Sequence, residues 1–259
     1  DGASYYSTII DTPSFIFTDY QQLKQNSDTD TKVFKTVNLT IMSNVKTSSL
    51  TFSIITALIL WFFIFSPAVP LKLNFWLQLT ISSALLCAVS LISDNNLKRE
   101  ILPIDTNNSV VINILKQTLS GIIIAAALWG IFWIGNEIST AIFSFADNQI
   151  NNIYAMKGSE SKLLLSFLLL FLIGPAEEIF WRGYVQKNIQ DKTSPNIGFI
   201  LTALLYSIAH IWSGNFMLIM AALVAGVVWG GIYRLYPKSL PALIISHSIW
   251  DAAVFVWFP

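Results

Sequence analysis

From Ser49 onward the chain alternates long apolar blocks with short polar connections. A helix rising about 1.5 Å per residue needs about 20 residues to cross a hydrocarbon core about 30 Å thick. Seven blocks reach or approach that length, at residues 50–65, 75–92, 118–145, 163–185, 197–212, 216–233 and 240–257. Inside lipid only helices and closed barrels satisfy every backbone polar group. The blocks are continuously apolar rather than alternating, which favours helices. The pattern therefore predicts an all-α polytopic transmembrane helix bundle of about seven spans. The third block is longer than a crossing requires, which predicts a tilted helix or a break near Gly135.

Residues 1–46 have a different character. They are polar, rich in Asp, Ser and Thr, and show no helical period. They also lack the basic start and apolar centre of a signal peptide. They read as a loosely ordered tail, or as a non-native extension if Met42 is the true start. The glycosylation triplet Asn38-Leu39-Thr40 is short enough to arise by chance and carries no weight. The organisation expected is thus a tail at 1–46, the first three spans within 47–162 and the last four within 163–259.

Composition narrows the classes further. Hydrophobic residues make up 54% of the chain and charged residues 12%, where a soluble domain carries about 25% charge. Fifteen basic residues balance fifteen acidic ones, so no basic field exists for a nucleic acid. A single cysteine, Cys87, excludes internal disulfides and cysteine-rich metal sites. With the N-terminus on side one, that side collects Lys46, Lys98, Arg99, Lys116, Lys187, Lys192, Arg234 and Lys238, and side two collects Lys72, Lys157 and Lys162. Positive-inside bias places side one in the cytoplasm. For so short a chain a bacterial plasma membrane is the expected location. Repeats of the kind that build inverted-repeat transporters are not visible.

Ionisable groups inside apolar helices are costly and mark function. The first three spans hold only Glu137, beside the expected break. The last four hold Glu177, Glu178, Arg182, His210, His247 and Asp251, including both histidines of the chain. Glu178 and Arg182 are four residues apart and share a helix face, acid before base. Glu177 points about 100° away, so one carboxylate is suited to the guanidinium and the other to a cavity. Pro175 removes a backbone donor opposite the Phe171 carbonyl, and with Gly174 predicts a kink that opens space. Tyr206 lies one turn before His210. His247 and Asp251 are also four apart, so the carboxylate can orient the ring. Counting back along each span puts Glu177, His210 and His247 near one depth, toward the cytoplasmic side of mid-membrane. Packing offers the competing account: a buried Glu178–Arg182 pair, a hydrogen-bonded His210 and a local His247–Asp251 pair would each steady a helix.

The order Glu177-Glu178-x-x-x-Arg182, Tyr206-x-x-x-His210, His247-x-x-x-Asp251 resembles the three motifs of the CPBP family, which comprises type II CAAX prenyl proteases and bacteriocin-processing or immunity-associated membrane proteins. The similarity covers about the last third of the chain. That family usually has Phe where this chain has Tyr206, and often Asn where it has Asp251. The resemblance implies an intramembrane endopeptidase in which Glu177, assisted by His210, activates water. It implies that Glu178 and Arg182 support the site and that the third motif meets the oxyanion. An ionised Asp can only accept hydrogen bonds, so Asp251 is expected to orient His247 rather than face developing negative charge.

No cofactor is expected, although Glu177, His210 and His247 also make a chemically suitable zinc set with one position for water; the H-E-x-x-H spacing is absent. The expected partners are a peptide or protein substrate at the membrane and the lipid bilayer. A non-catalytic membrane or immunity partner of the same fold, and a proton-coupled carrier, are the competing functions. Gly226-x-x-x-Gly230 and Gly231 allow close helix contact, more naturally inside the bundle than between molecules.

Overall fold

The computed structural model describes residues 48–69, 73–101 and 110–257. The expected tail at 1–46, with Met42 and the Asn38 triplet, lies outside them. Two compact units, Asp1–Ser49 and Leu50–Pro259, divide the chain, and the helical bundle described here is the second.

The described residues are helical throughout their regular structure, with no strands. The helices are α1 Ser48–Phe65, α2 Phe75–Ser93, α3 Leu97–Ile101, α4 Val110–Ile142, α5 Ala146–Ala155, α6 Lys162–Lys192, α7 Pro195–Ser213, α8 Phe216–Leu235 and α9 Pro237–Trp257. All but the short α3 and α5 are long and apolar enough to cross a membrane, so there are seven such helices among the described residues. The protein is an integral, multi-pass membrane protein. Side-chain caps fix several starts: Asn74 accepts from the Leu77 amide, Ser194 from that of Ile197, and Asn215 from that of Leu218. Each satisfies one backbone donor that the first turn leaves without a partner. At the far end of α7, Gly214 turns the chain out of the helix with φ of 61°, a conformation that favours glycine.

The expected break at Gly135 needs correction. Helix α4 runs unbroken through Gly135. Among the described residues only Gly158 and Gly214 adopt positive φ, and nothing inserts against Gly135 to bend the chain there. The extra length instead makes α4 about 50 Å long, well beyond one hydrocarbon thickness.

In α6, the helix changes register around Pro175. The helix passes from a π-turn segment at Leu169–Ile173 through an α segment at Gly174–Glu178 into a second π segment at Ile179–Gln186. The amide of Gly174 bonds to the Leu169 carbonyl, five residues back, and the amide of Lys187 bonds to that of Arg182. Widening the turn before Pro175 changes the hydrogen-bond register where the imino acid has no donor. Such bulges are frequent at functional sites.

Helix α9 is the hub, packing on α4 and α6, while α7 packs on α8 and α2 on α6. Missing side chains allow the closest approaches. A Cβ added at Gly121 of α4 would lie 2.7 Å from the Ala242 carbonyl of α9, and one at Gly174 of α6 would lie 2.8 Å from Ser248 Cα. Gly226 faces Ala203, and Gly230 faces Gln186 and Phe199. The glycine stripe of α8 therefore serves contacts within the bundle. The outer faces, including Phe52, Ile92, Leu119 and Leu163, are exposed and apolar, as a lipid-facing surface must be.

Candidate active site

All six ionisable residues singled out in the last four spans are buried. The two neighbouring glutamates divide as their angular separation requires. Glu177 lines a cavity of about 710 Å³, together with Tyr206, His210, His247 and Asp251. Glu178 and Arg182 do not line it and lie behind its wall, fully enclosed. Placing Glu177 and Glu178 between the two π segments of α6 gives each carboxylate its own environment.

The buried side forms a charged chain. Glu178 Oε1 accepts from the Arg182 guanidinium at 2.7 Å and from His247 Nδ1 at 2.9 Å. On the other side of the ring, His247 Nε2 is 3.3 Å from Asp251 Oδ2. A neutral imidazole donates from only one nitrogen, whereas the imidazolium donates from both. With carboxylates at both ends, the doubly protonated ring satisfies both contacts, and the four charges Glu178, Arg182, His247 and Asp251 then cancel. Trp229 stacks on His247 with ring centroids 4.1 Å apart and planes 20° apart, and its indole N–H donates to Ser246 at 3.0 Å. The Arg182 guanidinium sits 4.9 Å from the centre of the Tyr206 ring and 5.3 Å from that of Trp229, distances at which a ring face attracts a cation.

On the cavity side, the Tyr206 hydroxyl donates to Glu177 Oε2 at 3.1 Å. Phenylalanine at this position would leave that oxygen without the bond. His210 faces the Tyr206 carbonyl with Nδ1 at 2.8 Å. A carbonyl only accepts, so Nδ1 carries the proton and Nε2 is the accepting nitrogen of the neutral ring. Nε2 receives a long bond of 3.4 Å from the Trp61 indole. Phe65, also from α1, packs against the His210 ring.

Tyr206 entered the sequence reading only as a motif position; Trp61 and Trp229 did not enter it at all. Their signal is weak because an indole in an apolar span reads as ordinary core or interface. Glu137 does not belong to this constellation: it is exposed on α4, while its neighbours Asn136 and Ser139 line the cavity.

The position of the cavity also departs from expectation. Helix α6 continues to Lys192, so Glu177 is about 22 Å from that end, His210 about 22 Å from the start of α7 and His247 about 15 Å from the start of α9. The residues that complete the cavity are Phe65 and Phe75 around the α1–α2 connection, the last turns of α4, one face of α5 and the first turns of α8. All lie toward side two. The cavity extends from Glu177 at mid-helix toward side two, with His210 about 5 Å from the end of α7 there.

Among the described residues, no three His, Cys, Asp or Glu side chains group closely enough to hold a metal ion. The donor set of Glu177, His210 and His247 is thus chemically suitable but not gathered around one point.

Residues 159–253 match the family described as type II CAAX prenyl endopeptidase Rce1-like. The matched segment includes all three motifs and agrees with the family resemblance drawn from them. No curated protein and no solved structure matches the chain.

Proposed function

We propose that this chain, whose residues 159–253 match the Rce1-like family, is an intramembrane glutamic endopeptidase that hydrolyses a peptide bond with Glu177 as general base. The observation that carries this reading is the joint lining of one buried cavity by Glu177, Tyr206, His210, His247 and Asp251. A carboxylate in a site screened from bulk solvent, held by a hydroxyl on one oxygen only, keeps its other oxygen for water. Glu177 takes a proton from that water as the oxygen attacks the peptide carbonyl carbon. His210 Nε2 takes the water's second hydrogen in exchange for its long 3.4 Å bond from the Trp61 indole.

The intermediate's oxyanion needs a donor already in place. We assign this to His247 Nε2–H, whose 3.3 Å contact with Asp251 is long enough to be shared with an incoming oxygen. Asp251 keeps the ring turned toward the cavity, and Glu178 with Arg182 anchors its other nitrogen. Collapse of the intermediate breaks the C–N bond and returns the proton from Glu177 to the leaving amine. This assignment requires no metal. The apolar walls suit a substrate with bulky hydrophobic groups, whether side chains or a lipid attached to the peptide.

Glu177→Ala, His210→Ala and His247→Ala, expressed one at a time, should each abolish cleavage of a membrane-tethered peptide while membrane insertion and detergent elution profile are retained. Activity persisting in one of them removes that residue from the mechanism. If the triple variant still rescues a cellular phenotype of the gene's loss, the protein works as a non-catalytic partner instead.

A further inference from the structure

The two carboxylates that hold His247 meet its ring at the edge: Nδ1 is 2.9 Å from Glu178 and Nε2 is 3.3 Å from Asp251. Edge contacts resist sliding within the ring plane better than a tilt about the line that joins them. The second contact must also loosen when an incoming oxygen shares the Nε2 hydrogen. A tilt would carry that hydrogen off its target, and a donor helps an oxyanion only where it is aimed beforehand. Something else has to hold the plane of the ring.

The indole of Trp229 does this. It lies nearly parallel to the imidazole, with centroids 4.1 Å apart and planes 20° apart, and its electron-rich face attracts a cationic ring. The indole is itself fastened. Its N–H donates to Ser246 Oγ at 3.0 Å, and Trp250 meets it edge-on, 6.0 Å between centroids and 83° between planes. Ser246 directly precedes His247 on α9, whereas Trp229 belongs to α8. The tether therefore runs from a neighbouring helix to the residue beside the histidine and sets the rotation of the indole relative to the ring it covers. The Arg182 guanidinium lies 5.3 Å from the same indole, so both groups that donate to Glu178 Oε1 share one aromatic neighbour. Any large apolar side chain would fill this volume. A fully buried serine hydroxyl facing an indole N–H is what a fixed orientation requires.

We propose that Trp229, tethered by Ser246, is a positioning residue that fixes the plane of the His247 ring so that its Nε2 hydrogen is aimed at the developing oxyanion. This inference deepens the hydrolytic reading and rests on it for the oxyanion, but the hold on the ring can be measured without any cleavage.

Trp229→Leu removes both stack and tether, Trp229→Phe keeps an aromatic face without the tether, and Ser246→Ala keeps the stack without the tether. With a membrane-tethered peptide, kcat should fall furthest in Trp229→Leu, toward the about 100-fold loss of a missing oxyanion donor. The other two should lose about three- to tenfold, the worth of one neutral hydrogen bond. KM should move by less than about threefold, as for an interaction realised in the transition state. Trp229→Phe and Ser246→Ala delete the same bond, so the double variant should be no slower than Trp229→Phe alone. A peptide phosphinate, whose tetrahedral anion mimics the intermediate, should lose affinity in step with kcat/KM, while an uncleavable peptide of the same sequence should not. The chain has two histidines, so NMR with isotope-labelled histidine sees the ring directly. The indole's ring current should shift the His247 ring protons in the parent, less so the weaker ring of Trp229→Phe, and not at all in Trp229→Leu. Losses confined to KM, or additive losses in the double variant, overturn the positioning role, and an unshifted His247 in the parent overturns the stack. If Trp229→Leu fails to insert, Trp229→Phe and Ser246→Ala still decide between these outcomes. A parent that neither cleaves nor binds the phosphinate, with ring shifts that follow the variants as stated, supports the hold on His247 and counts against the hydrolytic reading.

Discussion

Gly174→Ala tests whether the close contact between α6 and α9 is what sets the geometry of the charged chain. The added Cβ would lie 2.8 Å from both Ser248 Cα and Ser248 Oγ, and 3.0 Å from the Leu169 carbonyl. Ordinary carbon contacts begin near 3.5 Å, so α6 and α9 must part by about 0.7 Å or more. On an isolated helix the same change would stabilise by about 1 kcal/mol. Here overpacking costs about 1–3 kcal/mol, and the obstructing atom is backbone, which cannot rotate away.

Gly174 is one turn before Glu178, and Ser248 follows His247. A separation of that size takes the 2.9 Å Glu178–His247 bond to about 3.6 Å, beyond hydrogen-bonding range. The expected result is a lower midpoint of thermal unfolding in detergent, with loss of cleavage greater than the stability change alone explains. Replacing Ser248 by Gly in the same chain removes Oγ but leaves Cα, so it should restore only part of the loss. An unfolding midpoint equal to or above that of the parent, with activity retained, would refute the argument that this contact is rigid and that it governs the site.

Tyr206→Phe removes one bond, of a type that contributes about 1.5–3 kcal/mol when the acceptor is charged; cleavage should slow by about tenfold or more in kcat, beyond what the accompanying drop in unfolding midpoint explains, and an unchanged rate means the hydroxyl does not position Glu177. Glu178→Gln leaves Arg182 and His247 facing a neutral amide; breaking a buried pair in this way costs about 3–5 kcal/mol, and a variant that purifies as stably as the parent would contradict the charged chain. Outside the spans, Glu100 of α3 has its carboxyl raised above the ordinary 4.5 mainly by burial, with Lys187 opposing. A raised carboxyl binds more protons in the folded state, so stability should fall as pH rises upward from 4.5. Glu100→Gln should flatten that slope in thermal unfolding scans at about pH 5 and about pH 8, and identical slopes would remove Glu100 from the account.

The seven crossings were legible because length and continuous hydrophobicity suffice to define them, and because buried charge stands out against an apolar background. The pairing of Glu178 with Arg182 followed from spacing alone. What spacing could not reveal was the two π segments of α6, since the missing donor of a proline can be met by more than one change of backbone register. Gly135 read as a break because glycine weakens helices in water, but here no neighbour disturbs the backbone. The contribution of the first half of the chain was also hidden. Trp61 reaches His210 from 149 residues away, and the last turns of α4 wall the cavity, yet both consist of residues that any membrane helix contains. The side toward which the cavity extends depends on where those walls lie, which counting residues along a span does not report.

The adjacency of Glu177 and Glu178 has a mechanical consequence. One residue of separation couples a carboxylate that faces open space to another held in an ionic clasp, so α6 cannot swivel to withdraw the first without tearing the second from Arg182 and His247. That helix therefore behaves as a fixed axle. Any motion that widens or narrows the cavity must be borne by the parts around it, the short α5 and the ends of α4 and α8, while the Glu177 carboxylate stays still.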